Sequence, residues 1–226
     1  MRYSSTIKGK FISRPNRFIA NVEIDGQATV VHVKNTGRCK ELLTEGATVI
    51  LSEGKNPLRK TKYDLIAVYK GDMLVNMDSQ VPNDVAYEWL LESNLFSKNA
   101  LIKREHTYGK SRFDIYVEDG KRRAFIEVKG VTLENDGVAS FPDAPTERGV
   151  KHLLHLIECQ NDGYEAYIFF VIQMKGVYAF VPNDKTHKEF GDALRLCKQR
   201  GVSILCYDSI VTEDSIKISD PVSILI

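Results

Sequence analysis

Apolar residues recur along the chain with two different periods, and the change from one to the other divides it. Up to Met77 they alternate with polar residues in short runs. Gly9–Ser13, Phe18–Ile24, Ala28–Val33, Ala47–Leu51, Tyr63–Tyr69 and Met73–Met77 each read as a strand, because successive strand side chains point to opposite faces. Asp25-Gly26 and Gly71-Asp72 supply tight turns between neighbouring runs, and Asp-Gly between alternating apolar residues is a strong hairpin signal. Short strands with regular turns predict a small β-barrel.

The stretch 78–83 reads as a linker and a helix start, with Asn83 or Asp84 as N-cap. Val85, Trp89, Leu90 and Leu91 then fit one helical face. Strand-like runs follow at 101–108, 111–118 and 122–130. Residues 147–160 form an amphipathic helix with Val150, Leu153, Leu154 and Ile157 inward and Thr146 as N-cap. A long apolar strand spans 164–173, with 177–181 expected as its hairpin partner. A second helix at 184–200 turns Phe190, Ala193, Leu194 and Cys197 inward, and 202–207 reads as a buried strand. The expected fold class is therefore mixed, α+β: a small β-barrel over 1–82, for which the five-stranded oligonucleotide-binding (OB) type is the natural candidate and another small barrel the alternative, and a mixed α/β domain over 83–226.

Composition is consistent with this division. The chain has 226 residues, 43% hydrophobic and 27% charged, enough for one large domain or two small ones at about 150 residues each. No apolar run approaches the ~20 residues that a membrane span needs, and Met1–Thr6 does not read as a signal peptide. The four cysteines make no Cys-x-x-Cys pair and read as reduced thiols of a cytoplasmic protein.

The formal net charge of +1 hides an asymmetry. Residues 1–82 carry 13 Lys and Arg against 8 Asp and Glu, whereas residues 83–226 carry 18 against 22. A basic part joined to an acidic one points to a polyanionic partner for the first, with a solvated basic face as the simpler account. Arg14, Arg17, Arg38 and Lys40 are the candidate phosphate contacts, and Phe11, Phe18, Tyr63 and Tyr69 are aromatics that either stack on bases or fill the core. Thr36-Gly37-Arg38 alternatively reads as a plain turn.

The chemistry concentrates in residues 111–130. If Asp119-Gly120 closes a two-residue hairpin, Asp114 lies opposite Phe125, and Phe125, Glu127 and Lys129 share its face. Two carboxylates and a lysine then meet on one side. Asp114 and Glu127 offer hard oxygen ligands for Mg²⁺ or Mn²⁺, with the carbonyl near Val128 as a further donor. Lys129 would orient a water or neutralise phosphate charge. The alternative is an exposed strand face with a cross-strand ion pair. Arg148, Lys151, His152 and His155 fall on the polar side of the following helix, within reach of a phosphate or a metal-bound water, with a solvated helix face as the alternative. His152 and His155 also have a spacing that fits zinc, but no second ligand pair stands nearby.

An acid followed by Glu-x-Lys on adjacent strands, between two helices, resembles the PD-(D/E)XK nuclease core. Asp114 fills the first acidic position and Glu127 and Lys129 the second motif, with Phe113 where proline is common. Glu88 or Glu92 would be the extra acid that some such folds carry. Together with Asn35–Leu43, Val75–Asn83 and Phe141–Leu153, these residues make the whole chain resemble the sugar fermentation stimulation protein family (SfsA). The resemblance implies an OB-type barrel, a nuclease-like second domain, DNA binding with little sequence preference, and a part in regulating sugar (maltose) catabolism. Two functions follow as expectations: a Mg²⁺-dependent nuclease, or a DNA-binding regulator that keeps the fold without turnover. A nucleotide-binding regulator lacks any phosphate-binding glycine loop.

Overall fold

The computed structural model describes residues 1–35, 37–54, 56 and 58–226. Thr36, the first residue of the Thr36-Gly37-Arg38 turn, lies outside them. The N-terminal part contains β1 (Thr6–Asn16), β2 (Ile19–Ile24), β3 (Gln27–Val33), β4 (Thr48–Glu53), β5 (Tyr63–Lys70) and β6 (Met73–Asn76). They are ordered β3-β2-β1-β4-β5-β6, and a short parallel pairing of His32 with Asp64 and Val33 with Leu65 closes β3 onto β5. Register shifts after Phe11 and after Ser13 bend the long β1, so that its first half pairs with β4 and its second half with β2. Such irregularities curl a sheet into a barrel. The result is the closed five-stranded OB barrel, β1 to β5, that the alternation predicts.

The middles of β4 (Val49–Leu51) and β5 (Leu65–Val68) are apolar without a break, and the structure shows why. Val49, Leu51, Leu65 and Val68 belong to one buried cluster, while Ile50, Ile66 and Ala67 join another with Val81, Val85 and Ala86 of helix α1 (Val81–Glu92). Strands covered on both faces lose the polar half of their pattern.

The second part is built on a six-stranded sheet of β7 (Leu101–Tyr108), β8 (Ser111–Asp119), β9 (Arg122–Val131), β12 (Glu165–Ile172), β14 (Ser203–Val211) and β15 (Ile216–Pro221), ordered β15-β14-β12-β9-β8-β7. Helix α1 packs on one face, and α2 (Glu147–Asn161) and α3 (Asp184–Gln199) on the other. A smaller sheet joins β10 (Leu133–Asn135), β11 (Val138–Phe141), β13 (Ala179–Pro182) and β16 (Ser223–Ile224).

Three sequence expectations need correction. Helix α1 starts at Val81 after Gln80, not after Asn83 or Asp84; Pro82 fits the first turn, where its missing N–H has no partner to lose. Leu91 and Leu154 point outward. The stretch 177–181 is not a hairpin partner of β12, because β9 and β14 already occupy both edges of that strand; β13 pairs in parallel with β11 and β16 instead. The N-cap of α2 is as expected, with Thr146 Oγ1 accepting from Gly149 N at 3.0 Å.

The two parts are joined by a buried polar seam as well as by apolar packing. Gln173 Nε2 donates to Asn76 Oδ1 and to the Asp78 carbonyl, Asn76 Nδ2 donates to the Tyr3 hydroxyl, and Lys34 pairs with Asp78 at 2.6 Å. Asp78 is fully buried, so the Lys34 ammonium provides the countercharge that a desolvated carboxylate requires. All four cysteines are free and buried. Among the described residues no helix is long and apolar enough to cross a membrane.

Candidate active site

The β8–β9 hairpin sets the site. Its pairs run Asp119–Arg122, Glu118–Arg123, Val117–Ala124, Tyr116–Phe125 and Ile115–Ile126, so the two-residue turn is Gly120-Lys121 rather than Asp119-Gly120. Gly120 takes the positive φ (62°) that the turn demands. Asp119 is used elsewhere: its carboxylate accepts from Ser97 N at 2.8 Å and Ser97 Oγ at 2.6 Å. The register therefore differs by two from the expected one, which leaves parity unchanged. Asp114 remains on the face of Glu127 and Lys129, one step beyond the last paired residues, where its Oδ2 accepts from Val128 N at 2.8 Å. Its other oxygen accepts from Asn83 Nδ2 at 2.8 Å.

Glu127 is buried at 2% exposure. Its Oε1 meets both the Lys129 ammonium and Nδ1 of His152, which α2 presents to the sheet. Its Oε2 is buried with no hydrogen-bond partner among the described residues. A carboxylate oxygen withdrawn from water without a donor is costly. Beside the Asp114 carboxylate, that orphaned oxygen has the chemistry of a cation ligand. Among the described residues no three His, Cys, Asp or Glu side chains can jointly hold a metal ion, so a cation here would draw on two carboxylates, backbone oxygen and water, a set that suits Mg²⁺.

The two carboxyls are tuned in opposite senses. Burial, and then the negative charge of Glu127, push the Asp114 carboxyl above its ordinary range despite Lys129 and the two hydrogen bonds it accepts. Burial acts on Glu127 in the same direction, but the hydrogen bond from His152 and the charge of Lys129 outweigh it and hold this carboxyl below the usual range.

The residues of α2 divide. Lys151 is exposed, and so is Arg148, whose Nε donates to His152 Nε2 at 3.3 Å. His152, expected on the polar side, is buried against β9 because Glu127 gives its ring a partner. His155 bonds Ser111 Oγ, so neither histidine offers Nδ1 to zinc.

The basic residues of the barrel also divide. Arg14 donates to four carbonyls, those of Arg17 (2.8 Å), Asn35 (2.6 Å), Gly37 (2.8 Å) and Arg38 (2.8 Å). It stitches the β1–β2 turn to the loop after β3. Arg17, stacked on Phe18 at 4.8 Å, and Arg38 and Lys40 are exposed. That loop reaches the second part of the chain, where Gly37 lies so close to the Asp143 carboxylate that a Cβ would collide with it.

Glu88 and Glu92 are engaged with other partners. Glu88 pairs with the Met1 ammonium at 2.5 Å and Glu92 with Lys217 at 2.9 Å. The residue that α1 does contribute is Asn83, which the sequence pattern suggests only as a helix cap. Its signal is its place in Val75–Asn83, a stretch whose buried polar residues Asn76 and Asp78 have no surface role.

Comparison with known proteins covers both parts. Residues 80–215 match the family described as the sugar fermentation stimulation protein RE domain, and residues 12–77 match the SfsA N-terminal OB domain. A sugar fermentation stimulation protein homolog of Clostridium beijerinckii is 60% identical over 100% of both chains. One from Desulfitobacterium hafniense (strain Y51) is 58% identical over 99% of this chain and 98% of its own. The structure of Pyrococcus furiosus SfsA in complex with Ca²⁺ superposes with a TM-score of 0.88 at 27% identity, over 100% of this chain and 98% of that one.

Proposed function

The chain belongs to the sugar fermentation stimulation protein family, and from that premise we propose that it is a DNA-binding protein whose second domain carries a divalent-cation site for phosphodiester hydrolysis. The observation that carries this reading is the buried Oε2 of Glu127 beside Asp114, which has no hydrogen-bond partner among the described residues. The Ca²⁺ bound by the Pyrococcus furiosus protein supports it as a chemical analogy.

In this reading Asp114 and Glu127 would hold Mg²⁺ or Mn²⁺, which would supply Lewis acidity for attack on a phosphate. Asn83 and the Val128 N–H keep Asp114 in place. Lys129, held against Glu127, brings a positive charge to the reacting phosphate and orients the attacking water. Arg17, Arg38 and Lys40 on the barrel and Arg148 and Lys151 on α2 offer the backbone phosphates exposed charge. These contacts carry no sequence information, which fits binding with little sequence preference.

The test is nicking of supercoiled plasmid by the purified protein. Turnover with Mg²⁺ or Mn²⁺ that stops on addition of chelator is the expected result. DNA binding without any cleavage, across both metals, would favour the non-catalytic DNA-binding regulator of sugar catabolism.

A further inference from the structure

His152 is buried on α2, and its ring is fixed from both sides. Nδ1 meets Glu127 Oε1, and Nε2 accepts from Arg148 Nε at 3.3 Å. A guanidinium N–H can only donate. Nε2 is therefore the bare nitrogen, and the ring proton sits on Nδ1, aimed at Glu127. Lys129 donates to that same oxygen. Two donors crowd Oε1, and Oε2 has none among the described residues.

We propose that His152 is a positioning residue of the cation site: its Nδ1–H and the Lys129 ammonium occupy Oε1 and so present Oε2 of Glu127 to the cation, with Arg148 fixing the ring tautomer. This rests on the reading of Asp114 and Glu127 as cation ligands. A donor placed behind an oxygen ligand fixes its orientation, and losing such a partner typically costs about 10- to 100-fold in metal affinity. The rival account is packing alone: the imidazole lies edge-on to Phe113, 6.4 Å between centroids, and would serve only to fill space.

Two measurements on the full chain separate these accounts. Long-range proton–nitrogen NMR of the metal-free protein reads the tautomer of His152. The Nδ1–H form is expected, and the Nε2–H form overturns the proposal. Calorimetric Ca²⁺ titration then compares the unaltered protein with Glu127→Gln, His152→Ala and His152→Asn. Asn carries an N–H close to the place of Nδ1, so H152N should restore most of the affinity that H152A loses, about 10- to 100-fold. Where H152A does not fold, His152→Gln replaces it, because its amide lies beyond the Nδ1 position and should leave binding weak. Unchanged Ca²⁺ affinity in H152A, alongside loss in E127Q, overturns the role of His152 and leaves the cation site standing. Ca²⁺ binding that is absent in the unaltered protein, or indifferent to E127Q, overturns the cation reading and this proposal with it.

Discussion

Asp114 and Glu127 lie on the same face of two antiparallel strands, and the fold drives their carboxyls apart: Asp114 is pushed up by burial and by the charge of Glu127, while Glu127 is held down by His152 and Lys129. Such divergence is common where a site holds charge for a ligand rather than for its own stability.

The consequence for stability follows from the sign of the Asp114 shift. A carboxyl whose folded pKa is raised contributes stability while protonated, and that contribution is lost as pH rises through the folded value. At neutral pH, above the ordinary aspartate value, burying Asp114 therefore weakens the metal-free fold. Asp114→Asn removes the charge and keeps the geometry, since its amide can accept from Val128 and donate to a flipped Asn83. We expect a higher melting temperature for D114N than for the unaltered protein at pH 7 without metal. A stabilisation of 1 kcal/mol would appear as about 2–4 °C at this chain length. The gap should start to narrow as pH falls through the folded Asp114 value and close below the ordinary aspartate value, about 4. A lower melting temperature at pH 7 would contradict this account.

Arg14 and its exposed neighbours should behave differently on DNA. Arg14 is committed to four carbonyls, so Arg14→Ala should destabilise the barrel by about 2–3 kcal/mol, the scale of hydrogen bonds from a charged donor. In protein that remains folded it should leave the salt dependence of DNA binding unchanged. Replacing Arg17, Arg38 or Lys40 should spare stability and lower the slope of log K against log salt by about one for each phosphate no longer neutralised. A flattened slope in folded R14A would place its guanidinium on the DNA.

Much of this was legible in the sequence because period-2 and period-3.6 patterns report which faces are covered. The barrel strands, the β8–β9 hairpin and α2 were readable in this way. The parity of Asp114, Glu127 and Lys129 survived a wrong turn, because a two-residue register shift does not change faces. What failed depended on partners distant in sequence. His152 reads as polar until Glu127 is placed behind it. Arg14 reads as a surface cation until the loop carbonyls converge on it. The place of residues 177–181 depended on β12 having no free edge. Asn83 reads as a helix cap because Pro82 obscures where the first turn begins.

Acid should act on the barrel through Asp64. Burial raises the pKa of this carboxyl, but the hydrogen bonds from Arg59 and His32 and the charge of Arg59 outweigh it and hold it below the ordinary value. A carboxyl lowered in this way contributes stability that is present above its unfolded pKa and is lost as pH falls through the folded one. Asp64→Asn should therefore be less stable than the unaltered protein at pH 7. The two should converge as pH drops below about 4, near the unperturbed aspartate value. Denaturant titrations across that range read the difference directly, and parallel curves at all pH values would contradict the ion-pair account.

Whether Asp114, Glu127 and Lys129 act as one cation-dependent hydrolytic site is tested most directly by separating cation binding from cleavage. The measurement follows Mn²⁺ affinity and cleavage of a labelled DNA duplex in the unaltered protein, Glu127→Ala and Lys129→Ala. Glu127→Ala should lose both, because a ligand is gone. Lys129→Ala should still bind the ion, weakened by no more than the about 10- to 100-fold that one lost donor to Oε1 costs, while cleavage at saturating Mn²⁺ collapses by about 100-fold or more, the scale of losing one electrostatic stabiliser of the reacting group. Both variants should still bind DNA. Cleavage that persists in Glu127→Ala, or Mn²⁺ affinity that is indifferent to the loss of that carboxylate, would contradict the claim.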